Sequence, residues 1–259
     1  MASLRLLRLV WHVLMGSITV ALLFPRLDAW EQGRRVTRWS TQMLRLMGVK
    51  LIVKGRAPHV RGQGALIVAN HISWLDIHLL HGVLPCRFVS KAEVAHWPLI
   101  GWLARQTGTL FLVRERRSAV REMNAQMATL LAQGECLTVF PEGTTTAGGQ
   151  VLPFRAALFE PVVTAEAGMW PVSIRYWDGH GQRSEVAAYY GEMSLAASLW
   201  RIAKATQLTA EVHFLPPVTT PKGAVSKDRR ALAGVAEQAI RADLEKPSSV
   251  CNNAVTMRG

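Results

Sequence analysis

From residue 65 to about 245, short apolar runs alternate with helical stretches, and this alternation limits the fold more than any other feature of the chain. Strands are read at 49–53, 65–70, 86–90, 109–113, 136–140, 171–177, 185–190 and 210–215. Helices are read near 74–83, 94–105, 118–133, 155–167, 195–206 and 227–245. Alternating elements of this length predict an α/β fold, a mostly parallel sheet flanked by helices. Pro161 predicts a kink or break within its helix, and Pro171 opens its strand. A hydrophobic content of 49% is enough for one large core. The expected organisation is residues 1–48 as membrane-anchor and amphipathic helices, 49–246 as the main domain, and 247–259 as a flexible tail.

The strand at 65–70 runs into Asn70-His71-Ile72-Ser73-Trp74-Leu75-Asp76. In an open α/β sheet the crevice beyond the strand ends is where ligands bind. His71 lies there, with the Asp76 carboxylate about one helical turn on. A neutral imidazole becomes a useful base when a carboxylate fixes its tautomer and stabilises the imidazolium. The chain has no Gly-x-Ser-x-Gly nucleophile, so such a base suits a hydroxyl brought by the substrate. Ser73-x-x-Asp76 is equally a capping box, with Asp76 returning to the Ser73 backbone. Sequence alone leaves both roles open.

Upstream, residues 9–24 carry no Lys, Arg, Asp or Glu and are flanked by Arg5, Arg8 and Arg26. About 16 residues of helix reach roughly 24 Å, short of a ~30 Å hydrocarbon core. Snorkelling arginines bring the length close to a span. The segment is read as an anchor that spans or enters one leaflet, against a buried core helix or a signal peptide. Residues 28–47 form an amphipathic helix in which Trp30 and Trp39 alternate with Arg34, Arg35, Arg38 and Arg45. That pattern fits either an anionic interface or a helix packed on the domain with a solvated basic face.

Lys and Arg outnumber Asp and Glu by 30 to 18, a net charge of +12, which predicts an anionic partner. A nucleic-acid role lacks an aromatic-basic motif, zinc finger or recognition helix. The three cysteines, Cys86, Cys136 and Cys251, form no C-x-x-C pair and are read as reduced thiols. His71, Asp76, His78 and His81 could be taken for the ligands of a metal-dependent hydrolase, but no second ligand group follows at suitable spacing. A non-enzymatic basic membrane-binding protein is the other remote alternative.

Three further blocks end strands on the His71 side. Lys91 closes one and Arg114 another, two cations suited to a phosphate. Phe140-Pro-Glu-Gly-Thr-Thr-Thr146 places a carboxylate, Glu142, beside Gly143, Thr144 and Thr145 in a turn able to hold a polar head group. Trp170-Pro171-Val-Ser-Ile-Arg175 says little alone.

Taken together and in this order, Asn70-His71-x4-Asp76, Lys91…Pro98…Gly101 with Arg114, Phe140-Pro-Glu-Gly-Thr144 and Pro171-Val resemble the glycerolipid acyltransferases, above all bacterial 1-acylglycerol-3-phosphate acyltransferases. The resemblance covers about residues 45–220. It implies the glycerolipid acyltransferase fold with an N-terminal membrane-associated helical segment, His71 as base and Asp76 as its partner. It places Glu142 and Gly143 in the acceptor site, Arg114 at the acceptor phosphate, and Pro171 near the acyl donor. The implied donor is acyl-CoA or acyl carrier protein, with no further cofactor, metal or nucleic acid. The acceptor is a lysolipid, and the location is the bacterial inner membrane with the site facing the cytoplasm. One position departs: relatives that use lysophosphatidic acid read Glu-Gly-Thr-Arg, whereas this chain has Thr145. Similar Glu-Gly-Thr-Thr/Ser versions resemble enzymes that finish ornithine lipids. Lys91, Arg114 and Arg155 remain able to hold a phosphate.

Overall fold

The computed structural model describes residues 2–59, 62, 64–113, 116–218 and 228–247. A seven-stranded sheet carries the chain in the order β1-β7-β6-β2-β5-β3-β4. The strands are β1 (Val49–Gly55), β2 (Ala65–Ala69), β3 (Arg87–Lys91), β4 (Leu110–Leu112), β5 (Cys136–Val139), β6 (Gly168–Trp177) and β7 (Leu208–Phe214). All neighbours are parallel except β6 and β7. The helices are α1 (Ala2–Leu23), α2 (Ala29–Met47), α3 (Leu75–Val83), α4 (Ile100–Gln106), α5 (Arg117–Ala132), α6 (Glu160–Ala165), α7 (Leu195–Lys204) and α8 (Arg229–Leu244).

β2 is buried at every residue, as expected for a central parallel strand covered on both faces. One core joins the β2 side chains Ala65, Ile67 and Ala69 to α2 and α3 through Met43, Leu44, Leu79 and Leu80. The opposite face packs Leu66 and Val68 on α5 and α8 through Met127, Leu131, Ala236 and Ile240.

α1 is not free of the domain. Leu9 is buried in the same core as Met43, Val49 and Leu79. Arg5 does not snorkel: Nη1 donates to the carbonyls of Ala205 at 2.6 Å and Ala203 at 3.2 Å, capping the end of α7. The outer side of α1 is an unbroken apolar stripe, with Leu4, Leu7, Trp11, Leu14, Ile18 and Leu22 exposed. α1 with the turn after it (Ala2–Arg26) is long and apolar enough to cross a membrane. α2, started by Asp28 accepting from Glu31 N at 2.8 Å, packs on α3 and leaves Arg34, Arg35, Arg38 and Arg45 exposed.

Four local expectations need correction. Residues 185–190 are not a strand. They cross the carboxyl edge of the sheet as a loop, with Ala187 and Ala188 buried and Tyr189 N donating to Ile72 O at 2.9 Å. The helix expected at 94–105 is two pieces, a 3-10 turn at Ala92–His96 and then α4, because Pro98 and a left-handed Leu99 separate them. The helix expected at 155–167 is a 3-10 turn, Ala156–Phe159, followed by α6, with Pro161 in the first turn of α6, where its missing N–H costs nothing. Pro171 does not open its strand, since β6 begins at Gly168. It stands where the β7 ladder starts, with Val172 opposite Phe214. Arg114, Cys251 and residues 248–259 of the expected tail lie outside the described residues.

Candidate active site

The site begins where β2 ends. Asn70 is buried, and its amide extends the ladder to β6: Oδ1 accepts from Ile174 N at 2.7 Å and Nδ2 donates to Ile174 O at 3.1 Å. The chain then turns, and His71 is gripped through its backbone. His71 N donates to Glu142 Oε1 at 2.7 Å, and His71 O accepts from Thr146 N at 2.9 Å. The imidazole lies flat on Phe140, ring centroids 3.8 Å apart at 9°.

His71 Nδ1 is 2.9 Å from Asp76 Oδ2. The same oxygen accepts from Ile72 N at 2.7 Å and Ser73 N at 2.9 Å. Ser73 Oγ in turn accepts from Leu75 N at 3.2 Å. Asp76 therefore makes both sets of contacts at once: it returns to the backbone at the start of α3, and it meets the imidazole. Because a carboxylate only accepts, Nδ1 carries the proton and Nε2 the lone pair. The His71 side chain is 17% exposed while that of Asp76 is 0% exposed, so the imidazole reaches solvent and its partner does not.

Oδ1 of Asp76 has one more partner, the Tyr176 hydroxyl of β6, at 2.6 Å. Burial and the Asp76 charge push the Tyr176 phenol well above its ordinary range, keeping it a donor. Sequence reasoning missed Tyr176, which is 100 residues from Asp76 and in no short motif. Its signal is the period of two along β6, which sets Val172, Ile174 and Tyr176 on the face of β6 that meets α3.

Of the other expected site residues, Glu142 is buried and both its oxygens face backbone amides, Oε1 that of His71 and Oε2 that of Leu152 at 2.8 Å. Burial raises its carboxyl to about 7, with Asp76 adding, against the amides of Leu152 and His71 and the charge of Arg241. Gly143 turns the chain with φ 78°, where a side chain would be strained. Thr144 is exposed, and the Thr145 hydroxyl donates to Tyr189 O. Lys91 and Arg155 are exposed, Lys91 at the end of β3 and Arg155 following the loop, its N–H on Pro141 O at 3.1 Å. Pro171 is buried beside Val68 inside the sheet.

His78 and His81 do not join this group. His81 Nε2 lies 3.0 Å from Cys86 O, and His78 packs against the rings of Trp39 and Trp74. Burial lowers them to about 4 and about 3 respectively, so both are neutral. Among the described residues no three His, Cys, Asp or Glu side chains converge as metal ligands.

Comparison with known proteins agrees with this geometry. The Acyltransferase family profile matches residues 50–175. The 1-acyl-sn-glycerol-3-phosphate acyltransferase of Neisseria meningitidis is 35% identical over 212 residues, 82% of this chain and 81% of that protein. This chain belongs to the glycerolipid acyltransferase family. The lyso-ornithine lipid O-acyltransferase of Pseudomonas aeruginosa is another relative, 35% identical over 251 residues, 93% of this chain and 94% of that protein. The crystal structure of the 1-acyl-sn-glycerophosphate acyltransferase of Thermotoga maritima shares the fold, with a TM-score of 0.66 at 20% identity over 100% of this chain and 99% of that one. For an acyltransferase, the histidine and aspartate that the fold holds in contact are the natural candidates for the chemistry.

Proposed function

We propose that this acyltransferase esterifies the free hydroxyl of a lysolipid, with His71 as general base and Asp76 as its orienting partner. The observation that carries the reading is the His71–Asp76 contact of 2.9 Å at the carboxyl edge of β2, with Nε2 left to act. Nε2 takes the hydroxyl proton as the oxygen attacks the thioester carbonyl of acyl-CoA or acyl carrier protein. The tetrahedral oxyanion collapses, the C–S bond breaks, and the thiolate leaves with the proton returned by the imidazolium. The products are an ester and a free thiol. A positioned base of this kind contributes roughly 10²–10⁴-fold.

The acceptor is read as 1-acylglycerol-3-phosphate, giving phosphatidic acid, with Lys91, Arg114 and Arg155 as the available cations. A lyso-ornithine lipid is the second reading, favoured by Thr145. Its hydroxyl is engaged by Tyr189 O and offers a phosphate no charge. The P. aeruginosa relative, matched over nearly its whole length, bears that activity in its name. The exposed apolar side of α1 and the basic face of α2 favour attachment to the inner membrane from the cytoplasmic side.

The deciding experiment gives purified protein each lysolipid in turn with labelled acyl-CoA and acyl carrier protein donors. Transfer to at least one acceptor, lost in His71→Ala with an unchanged melting temperature, is expected. Near-normal turnover in that variant would remove His71 from the mechanism.

A further inference from the structure

Between the 3-10 turn at Ala92–His96 and α4, the chain makes a projection that packing does not explain. Trp97, Pro98, Leu99 and Ile100 are four consecutive apolar residues, all exposed, Trp97 by 41% and Leu99 by 46%. Such a run in solvent is a fault unless something covers it. The backbone is strained as well. Leu99 has φ 59° and ψ −53°, which a bulky residue avoids. The conformation is held firmly from below. Ile100 N donates to Pro98 O at 2.6 Å, Gly101 N to Trp97 O at 2.9 Å, and Arg105 Nη2 to Ala95 O at 2.7 Å. Gly101 is pressed so close to the turn that a Cβ there would sit 2.3 Å from Ala95 O. A rigid frame thus keeps an apolar tip out in solvent at a cost in backbone energy.

We propose that Trp97–Ile100 is a membrane-dipping wedge, a second contact with the bilayer besides α1. Position and composition both argue for lipid. The tip follows β3 at the carboxyl edge of the sheet, two strands along from β2 and His71. α4, which it opens, packs against α1, the helix that carries the exposed apolar stripe. A tryptophan with aliphatic neighbours, flanked by Lys91 and Arg105 and the single acid Glu93, suits the boundary between anionic headgroups and acyl chains. With two contacts instead of one, the protein cannot roll about α1, and the carboxyl edge is fixed towards the bilayer from which an acceptor must come. The wedge rests on the membrane-associated reading above, and the test separates the two.

Cys251 is first replaced by serine, leaving the buried Cys86 and Cys136. An environment-sensitive fluorophore is then placed on Leu14→Cys in α1, on Leu99→Cys, and on Gln126→Cys, an exposed site of α5 on the other face of the sheet. Each protein is mixed with vesicles of phosphatidylethanolamine and phosphatidylglycerol, with and without a brominated-chain lipid. A blue shift and bromine quenching at 14 and 99, but not at 126, is the expected result. A response at 14 alone would overturn the wedge and leave membrane attachment standing. No response at any site would remove both, and a response at all three would show that no single face is presented. A shift at 99 produced by acyl carrier protein instead of vesicles would assign the tip to the donor and overturn the proposal. A second variant, Leu99→Gly, accepts the positive φ without a Cβ clash and should fold at least as stably, yet bind these vesicles about tenfold more weakly. Unchanged vesicle affinity in that variant would also overturn the wedge.

Discussion

The two oxygens of Asp76 are loaded differently, and the difference predicts what Tyr176 does. Oδ2 takes His71 Nδ1 and two backbone amides, whereas Oδ1 takes the Tyr176 hydroxyl. A donor on Oδ1 draws charge from the carboxylate and weakens its hold on the imidazolium. Tyr176→Phe removes one hydrogen bond to a charged group, worth about 1.5–3 kcal/mol, and leaves a more basic carboxylate beside His71. Glu142, the other ionisable side chain close to Asp76, stays in place in the variant. The acidic limb of kcat/KM against pH should therefore move to higher pH. A fall in melting temperature with an unmoved limb would make Tyr176 a packing residue only. Glu142 supports a second prediction. Its carboxyl, raised by burial to about 7, binds its proton more tightly folded than unfolded, where the value is about 4.3. That contribution to stability is present below about 4.3 and is lost as pH rises through about 7. Thermal unfolding across this range should show a slope that Glu142→Gln lacks. The amide of that variant would also meet one backbone N–H donor to donor, costing about 1–3 kcal/mol. The dyad and its loop were legible in sequence because His71, Asp76 and Glu142 sit in compact motifs at strand ends. Tyr176 was not, because its partner is chosen by sheet order, which no local spacing reveals.

The element that ties β6 to β7 is α8. Asp243, buried near its end, accepts from His213 Nδ1 of β7 at 3.0 Å, from Lys246 Nζ at 3.1 Å, and from Ser173 and Arg175 of β6. Burial would raise its carboxyl, but the donors Ser173, Lys246 and His213 and the Arg175 charge outweigh it and hold it well below the usual carboxylate range. Asp243→Ala leaves Arg175 buried without this partner and should cost about 3–5 kcal/mol. Urea unfolding would measure it. A depressed carboxyl stabilises above its unfolded value, near 3.9, and stops doing so as pH falls through the folded one. The deficit of the variant should therefore shrink in acid, and a deficit constant with pH would show that the lost contacts are not ionic. Element reading from sequence succeeded for α5, where the helical period dominates, and for β2, a continuous apolar run buried at every residue. It failed at 185–190, where Val186, Ala187 and Ala188 look like a strand but cover the edge beside Ile72. An apolar run reports burial, and it does not report which backbone partners the run will find. The single helix read at 94–105 failed too: Pro98 divides it, and the projection that results follows only from the Leu99 backbone.

At the scale of the whole molecule, the proposed membrane attachment would draw on charge and on apolar surface, two forces that respond differently to salt. The net charge is +12, and Arg34, Arg35, Arg38 and Arg45 stand exposed on α2, which packs against α1. The electrostatic part depends on anionic lipid and is screened, since the Debye length falls from about 10 Å at 0.1 M salt to about 3 Å at 1 M. The apolar part is indifferent to headgroup charge and is not weakened by screening. Binding to phosphatidylglycerol-containing vesicles should therefore fall with added salt to a floor, and that floor should equal the affinity for pure phosphatidylcholine vesicles. Replacing Arg34, Arg35 and Arg38 by glutamine should lower the low-salt affinity towards the same floor without moving it. Replacing Leu7, Trp11 and Leu14 by serine should lower the floor itself, because these side chains supply the part that salt leaves untouched. Sedimentation with vesicles at several salt concentrations measures all three proteins. Binding of the unaltered chain that ignores both salt and lipid charge would make the apolar surfaces alone responsible for attachment and leave the basic face of α2 as a solvated surface.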